Sequence, residues 1–454
     1  MRNLDTRREN LTAELCTDIL DQSYDDHPAD HVEFVEQAII DAFGNALLAQ
    51  STPLGRTHLA QITPVQEGHP VIGRETAAPV DAAFVNSGLI NAMDWDDTAG
   101  GHPGSSVIPA ALYAAHRTGA STHEFVNAVL VGYEVSIRVA LALQPSWQRY
   151  DLVHGSGTRH AIGAGAAIAA LLRGEVETVE EYIGTTAQLA PVPHAGTVGW
   201  DAGHVTWLKD NNPRATTAAV RAAEFPEAFR GTRGVLQGSA GFWRMAGSDR
   251  CDWEILGTPI GEPYLLSELE LKPYPCCRWL HTAVEAAGEA ADKVGEVELA
   301  RVETANRIAS KCTLEPVNQV NAQFSIPFVV ALATAGVDPY DWYTPKGPVA
   351  MPEVDVTVAG APDMSELYQE TTDVGARVTV TDKGGDTATV SIERPLGCGT
   401  RPLPWTASTD KLARGIEVSL GGDGLNQTNA IVDVLSSDGT IETLVDILTA
   451  ESAV

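Results

Sequence analysis

Apolar residues recur at helical spacing through most of the first 268 residues. One stripe of an amphipathic helix is indicated by apolar residues at four-residue steps: Val35, Ile39, Phe43 and Leu47. Ser121, with Glu124 three positions later, is the capping-box start of a long, mostly apolar helix. A further helix over 157–172 is built of small residues and is apolar on nearly all faces, so it must be buried inside a bundle or at a subunit interface.

After about residue 268 the hydrophobic period shortens towards two. Residues 376–394 alternate on either side of a Gly-Gly pair, which predicts a β-hairpin, and 296–308 and 353–360 contain further strands. Segments 276–289 and 323–335 read as helices. The predicted fold class is mainly α: a large all-helical domain over 1–268, completed by C-terminal helices over 404–454, and a smaller α+β domain over 269–403.

Charge is the most unusual feature of the composition. The 454 residues include 60 acidic and 30 basic ones, a formal charge of −30, and only seven of the basic residues are lysines. Such a chain repels nucleic acid and anionic membranes, so neither is an expected partner. The charge favours a surface adapted to high ionic strength, although an ordinary acidic protein remains an alternative.

The remaining composition predicts a cytoplasmic protein. The first 16 residues carry charges throughout, so no signal peptide is expected, and no run of 18 apolar residues occurs. Six cysteines form no C-x-x-C pair, which argues against a zinc ribbon and fits a reduced compartment. The sequence "GAGAAI" at 163–168 lacks a preceding strand, and no Walker motif occurs, so no nucleotide cofactor is expected.

The stretch "MDWDDTAGGHPG" concentrates carboxylates before a histidine. Asp94, Asp96, Asp97 and His102 offer ligand types for Mg²⁺ or zinc. At helical spacing Asp94 and Asp97 would share a face and Asp96 would point elsewhere, so we do not expect all three carboxylates to converge. A metal-dependent hydrolase that uses Asp94, Asp97 and His102 stays open as the alternative from a different class.

Basic groups in unusual loops are candidates for binding a small anion. His154 lies in a Gly/Ser-rich loop that allows close approach of a ligand. Lys209 and Lys272 both lie in aromatic- and proline-rich segments, and Arg278 and His281 follow the second one. In so acidic a chain, a small anionic substrate needs a local positive cluster of this kind.

Several of these segments together resemble one family. "MDWDDTAGGHPG", "HGSGTRHAIGAGAAIAALL", "WLKDNNP" and "LKPYPCCRWLHTAVEA" are similar, in order, to motifs of the MmgE/PrpD family, and the resemblance runs from about residue 30 to residue 400. The family includes 2-methylcitrate dehydratase, cis-aconitate decarboxylase and iminodisuccinate epimerase. The resemblance implies a helical domain with an α+β lid domain, a homodimer, and catalysis without metal, nucleotide or organic cofactor.

Site roles follow from the same resemblance, position by position. The implied catalytic residues are His154, Asp94, Lys209 and Lys272. The expected substrate-binding residues are His102, Thr98, Arg278 and His281. Two positions depart from the family pattern: Gly155-Ser156 replaces Pro-Thr after the histidine, and Phe328 stands where the decarboxylase has a tyrosine.

The expected function is a cofactor-independent lyase on a small di- or tricarboxylate, of the 2-methylcitrate dehydratase type. A decarboxylase and an epimerase are the alternatives within the family, and Phe328 weighs against the decarboxylase. A non-catalytic carboxylate-binding protein on the same scaffold is a further alternative.

Overall fold

The computed structural model describes residues 10–195, 211–228, 233–313 and 315–449. The helices of the first part are α1 (Leu11–Asp21), α2 (Ala29–Ala49), α3 (Pro53–Leu59), α4 (Pro79–Asn91), α5 (Pro103–Thr118), α6 (Thr122–Ala142), α7 (Trp147–Tyr150), α8 (Ser156–Leu172), α9 (Val176–Leu189), α10 (Asn212–Glu224), α11 (Phe242–Met245) and α12 (Trp253–Leu256). Its strands are β1 (Pro64–Val71), β2 (Arg74–Ala77), β3 (Asp97–Thr98), β4 (Val153–His154), β5 (His194–Ala195) and β6 (Glu270–Leu271).

Helix α8 lies at the centre of this helical part. It packs against α5, α6 and α10, and its small residues allow the close approach. A Cβ added at Gly163 would lie 2.4 Å from Ser136 Cβ and 2.7 Å from Gly132 O, so α8 and α6 touch almost backbone to backbone. Helix α8 is therefore buried inside the helical bundle of its own chain.

Helix α6 begins with the predicted capping box. The Ser121 hydroxyl accepts from Glu124 N–H and the Glu124 carboxylate accepts from Ser121 N–H. Among the described residues, α6 is the one helix long and apolar enough to cross a membrane, but nearly all of it is buried inside the fold. Helix α6 is therefore part of the core.

The part of the chain predicted as the lid contains a mixed sheet with helices on it. Its helices are α13 (His281–Ala291), α14 (Asn306–Lys311), α15 (Gln319–Gln323), α16 (Ile326–Thr334) and α17 (Pro362–Thr371). Its strands are β7 (Val297–Thr304), β8 (Tyr343–Thr344), β9 (Gly347–Pro348), β10 (Asp355–Gly360), β11 (Ala376–Asp382) and β12 (Thr387–Ile392). The four-stranded sheet has the order β10-β7-β11-β12, with β10 and β7 parallel and the other pairs antiparallel.

The predicted hairpin is β11–β12, and its turn places Gly385 at φ 89°. Alternate side chains of β11 are buried against α13, as the period-two pattern requires. The fold class, mainly α with a smaller α+β part, is confirmed. The predicted domain boundaries stay a prediction. The expectation of almost pure helix before residue 268 missed the antiparallel pair β1–β2.

Three C-terminal helices return to the first part: α18 (Trp405–Leu420), α19 (Gly424–Ser436) and α20 (Ile441–Thr449). Helix α18 crosses α2 at two glycines. A Cβ at Gly44 would lie 2.7 Å from Leu412 N, and one at Gly415 would lie 3.0 Å from Gly44 O. The two backbones therefore pack in direct contact, and any larger side chain would force them apart.

A buried ion pair joins the same two helices. Lys411 Nζ of α18 lies 2.7 Å from Asp41 Oδ1 of α2 and donates to the Trp95 carbonyl at 3.0 Å. It also lies 3.4 Å from the Lys272 carbonyl. Burial raises the pKa of the Asp41 carboxyl and lowers the pKa of Lys411, and each partner opposes that change in the other.

Replacing Lys411 by methionine leaves a buried carboxylate without its partner. We expect Lys411→Met to lower the free energy of unfolding by about 3–5 kcal/mol, measured by urea denaturation, and Asp41→Asn/Lys411→Met to recover part of the loss. The control is Lys383→Met, which breaks an exposed pair with Glu296 and is expected to change stability little. Equal effects of the two lysine variants would contradict the assigned role.

Candidate active site

A cavity of about 350 Å³ opens between the helical part and the lid. The helical part contributes Asp94, residues 98–102, the short helix α7 and the start of α8. The lid side contributes Lys272, residues 277–279, Phe324 and the C-terminal half of α17. Several of the predicted site residues line this cavity: Asp94, Thr98, His102, His154, Lys272 and Arg278. Both parts of the fold are needed to form it.

The loop before α5 turns Asp94 inward. Asp94 adopts φ 55°, in the left-handed region, so the chain leaves the direction of α4 at this residue. Gly100 and Gly101 also have positive φ, and His102 is the N-cap residue of α5. The Asp94 carboxylate is buried, and His102 Nε2 lies 3.5 Å from its Oδ1.

Lys272 reaches the same carboxylate from the other side of the cavity. Strands β3 and β6 pair antiparallel, with Asp97 opposite Leu271 and Thr98 opposite Glu270, which brings the next residue, Lys272, to the loop. Lys272 Nζ lies 2.5 Å from Asp94 Oδ1 and 3.1 Å from the Asp94 carbonyl. A 2-residue strand pair therefore sets the geometry of a buried ion pair.

The other two carboxylates take different roles from those expected. Asp96, not Asp97, converges with Asp94: its Oδ1 lies 3.1 Å from His102 Nδ1 and 3.7 Å from Lys272 Nζ. The three carboxylates do not all converge, as expected, but the residue expected to share a face with Asp94 was wrong, because the left-handed conformation of Asp94 breaks the helical spacing. Burial would raise the pKa of Asp96, but His102 and Lys272 outweigh burial and lower it.

Asp97 points away from the cavity and caps α5. Its carboxylate accepts from Gly104 N–H at 3.1 Å and from the Tyr133 hydroxyl at 2.5 Å. Burial and the charge of Asp96 raise the pKa of the Asp97 carboxyl to about 7. Asp97 thus caps α5, whereas Asp94 and Asp96 interact with His102 and Lys272.

His154 lies on another wall of the cavity. Strands β4 and β5 pair with His154 opposite His194, and both side chains line the cavity. The Tyr150 ring packs edge-on against His154, with the ring centroids 4.8 Å apart. His154 and the Asp94–Lys272 pair thus line the same cavity.

The remaining predicted residues have distinct positions. Thr98 lines the cavity, as does Arg278, whose guanidinium makes two bonds of 2.7 and 2.8 Å to Glu270. His281 does not line it: this buried residue begins α13, its Nε2 lies 3.1 Å from the Cys276 carbonyl, and burial together with Lys272 lowers its pKa to about 3. Lys209 lies outside the described residues.

A possible metal-ligand set occurs in the same cluster. Ligand atoms of Asp94, Asp96 and His102 all lie within 4.8 Å of one another. The Lys272 ammonium group occupies a position beside both carboxylates, where it supplies the positive charge that a metal would supply. The arrangement therefore has an internal cation of its own.

Comparison with known proteins agrees with this architecture. Family models of the MmgE/PrpD N-terminal and C-terminal domains match residues 13–253 and 274–436. The chain belongs to the MmgE/PrpD family. A curated relative, the cis-aconitate decarboxylase-like protein oryM of Aspergillus oryzae, is 29% identical over 151 residues, which cover 30% of this chain and 31% of the relative. Membership supports an enzyme of the lyase or dehydratase type.

The MmgE/PrpD site of this chain also contains aromatic residues that the sequence analysis missed. Trp147 and Tyr368 line the cavity from opposite parts of the fold, with ring centroids 5.3 Å apart. Arg307 of α14 binds Asp151 at 2.6 Å and lies 4.9 Å from the Trp147 ring, so it joins the lid to the helical part. The aromatic run "WQRY" just before His154 was the available signal.

The raised pKa of Asp97 predicts a pH dependence of stability in this MmgE/PrpD protein. A folded-state pKa above the unfolded value adds stability that is present at low pH and is lost as pH rises through about 7. We expect wild-type stability, relative to Asp97→Asn, to fall between pH 5 and 8, by at most about 1.4 kcal/mol per pH unit.

The measurement is urea denaturation of both proteins at constant salt. Asp355→Asn, at the exposed start of β10, is the matched control and is expected to run parallel to wild type. Parallel curves for wild type and Asp97→Asn would show that the Asp97 carboxyl is already ionised at pH 5.

Proposed function

We propose that the chain is a cofactor-independent lyase that removes water from a small hydroxylated di- or tricarboxylate, of the 2-methylcitrate dehydratase type. The observation that carries this proposal is the buried Asp94–Lys272 pair beside His102, in a cavity that His154 also lines. It combines a fixed cation, for a substrate carboxylate, with the His154 imidazole in the same cavity, which can move a proton.

Lys272 supplies positive charge in this mechanism. Burial alone would lower the pKa of Lys272, but Asp94 and Asp96 more than offset burial and the pKa is raised. The ammonium group therefore keeps its proton at neutral pH. Together with His102 and Thr98, it holds the carboxylate next to the reacting carbon and stabilises the negative charge that develops there.

His154 carries the proton. It takes the proton from the carbon next to the bound carboxylate, and the electron pair of that C–H bond forms the C=C bond. The C–O bond on the neighbouring carbon breaks with its electron pair, and protonation by the imidazolium releases water. In this proposal Asp94 fixes the orientation of His102, and Lys209 binds a further carboxylate of the substrate.

Decarboxylation is the second candidate, favoured by the similarity to the fungal cis-aconitate decarboxylase-like protein. The same fixed cation would stabilise the electron pair left after loss of carbon dioxide. Phe328, at the position assigned to the decarboxylase tyrosine, is buried in the lid core beside Tyr343 and carries no hydroxyl group, which weighs against this candidate. An epimerase would use the same proton abstraction without loss of a group.

The proposal extends to the setting of the enzyme. No disulfide joins the six cysteines, all of which lie in the described part of the chain, and this suits a cytoplasmic protein. A homodimer is proposed, with a candidate surface beside the cavity where Leu152 and Val192 are exposed on either side of the β4–β5 pair.

The proposed activity is tested by incubating the EDTA-treated protein with 2-methylcitrate, citrate and cis-aconitate. We expect a rise in ultraviolet absorbance as the conjugated product forms from the first or second substrate. Nuclear magnetic resonance would detect loss of carbon dioxide or an epimerised acid. Loss of activity on EDTA treatment would instead support the metal-dependent hydrolase, and binding without turnover would support a carboxylate-binding protein.

The role of His154 is tested in the same assay. Asparagine cannot shuttle the proton, so His154→Asn is expected to reduce kcat by about 10²–10⁴-fold with an unchanged melting curve. His123→Asn, outside the cavity lining and stacked on Tyr24, is the matched control. Full activity of His154→Asn would remove His154 from the mechanism.

The charge of −30 predicts a salt requirement. Self-repulsion of the acidic surface is screened at high ionic strength, so we expect activity and near-ultraviolet circular dichroism to be lost together below about 1 M salt. Sodium chloride and potassium chloride are expected to act alike. Full stability and activity in dilute buffer would argue for an ordinary acidic protein.

A further inference from the structure

The cations that line the cavity differ in how their charge is compensated. Lys272 pairs with Asp94 at 2.5 Å, and Arg278 pairs with Glu270 and lies 3.6 Å from Asp373. Among the lysines and arginines of the described cavity lining, Arg159 is the one with no carboxylate at ion-pair distance. Its positive charge is therefore available to an anion that enters the cavity.

Arg159 is held firmly in place although none of the described residues provides a counter-ion. The side chain, 4% exposed, lies in the first turn of α8. Nε donates to the Gly155 carbonyl at 3.2 Å, and Nη1 donates to the Ala140 carbonyl at 3.2 Å and to Gln144 Oε1 at 3.1 Å. These neutral acceptors fix the orientation of the guanidinium without neutralising it.

The outer nitrogen of Arg159 is the least satisfied. Nη2 carries two N–H groups, and its contact is a long one of 3.4 Å to the Gly100 carbonyl. Gly100 itself lines the cavity. Burial of a charge without an opposite charge is unfavourable, and burial lowers the pKa of Arg159. A ligand carboxylate at Nη2 would accept its hydrogen bonds and would also compensate the buried positive charge.

Ser156 provides a second donor beside Arg159. It is the first residue of α8, three positions before Arg159, and lines the cavity. Its hydroxyl oxygen is buried and has no hydrogen-bond partner among the described residues. A Cβ at Gly101 would lie 2.0 Å from this oxygen, so only glycine at position 101 leaves room for the hydroxyl at this close approach.

The start of α8 adds backbone donors at the same place. This helix is 17 residues long, and its first N–H groups have no acceptor within the helix. Its dipole favours an anion at this end. The charge of Arg159, the hydroxyl of Ser156 and the helix end act on one corner of the cavity.

We propose that Arg159, Ser156 and the first turn of α8 form a binding subsite for a second carboxylate of the substrate, separate from the carboxylate that Lys272 and His102 hold. This inference rests on the proposed function, which it deepens: the substrate carries at least two carboxylates, and monocarboxylates are poor substrates. Arg159 is a specificity-determining residue that contacts the substrate away from the reacting carbon.

The test measures binding of tricarballylate, a tricarboxylate with no hydroxyl group to expel, by titration calorimetry. Wild type is expected to bind it, Arg159→Gln to bind at least about 100-fold more weakly, and Ser156→Ala about 10-fold more weakly. Arg250→Gln is the matched control, because Arg250 also donates to backbone carbonyls, of Gln144 and Pro145, but does not line the cavity.

A substrate readout distinguishes binding from a structural role. With an active di- or tricarboxylate, we expect Arg159→Gln to raise KM far more than it lowers kcat. The wild type is expected to prefer this substrate over its monoamide, and Arg159→Gln is expected to show no such preference. Melting curves identify any variant that fails to fold. If Arg159→Gln does not fold, the affinity of Ser156→Ala for tricarballylate tests the subsite.

Three outcomes overturn the subsite: no binding of tricarballylate by wild type, wild-type affinity in folded Arg159→Gln, or wild-type affinity in Ser156→Ala when Arg159→Gln does not fold. Binding that depends on Arg159, in a protein that converts no carboxylate tested, would leave the subsite standing and refute the proposed lyase reaction instead.

Discussion

The buried pair between Asp94 and Lys272 is the interaction on which the candidate site depends. Its two members come from different parts of the fold and lie 178 residues apart in sequence. A charge placed alone at either position would be strongly destabilised by burial, so each residue makes the other possible. His102 and Asp96 gather around this pair, and the cavity forms where the helical part and the lid bring them together.

A second buried ion pair contacts the loop that carries Asp94. Lys411 binds Asp41 and donates to the Trp95 carbonyl, between Asp94 and Asp96. Because Lys411 belongs to α18, the C-terminal helices hold the loop that carries the carboxylates. Asp41 and Lys411 are far apart in sequence, and they come into contact because α18 crosses α2 closely at two glycines.

The sequence predicted the fold class because hydrophobic periodicity changes clearly between the two parts of the chain. It also singled out Asp94, His102, His154 and Lys272, because clustered carboxylates, loop glycines and rare lysines are visible locally. The roles of Asp96 and Asp97 were exchanged, because the left-handed turn at Asp94 cannot be read from helical spacing.

Other features depend on contacts that no local pattern contains. Arg159 looks like an ordinary residue of a small-residue helix. The three-dimensional structure shows that it lines the cavity and that no carboxylate of the described residues pairs with it. Lys411 lies in an amphipathic helix, where a lysine is normally exposed, and its burial follows from packing against α2.

The pairing of β3 with β6 spans only two residues on each strand, yet it positions Lys272. So short a ladder contributes few backbone bonds and opens more readily than the helical core. Small openings between the two parts would separate the ion pair while far-ultraviolet circular dichroism stayed unchanged. Enzymatic turnover in this protein is therefore a more sensitive gauge of intact tertiary structure than helical content.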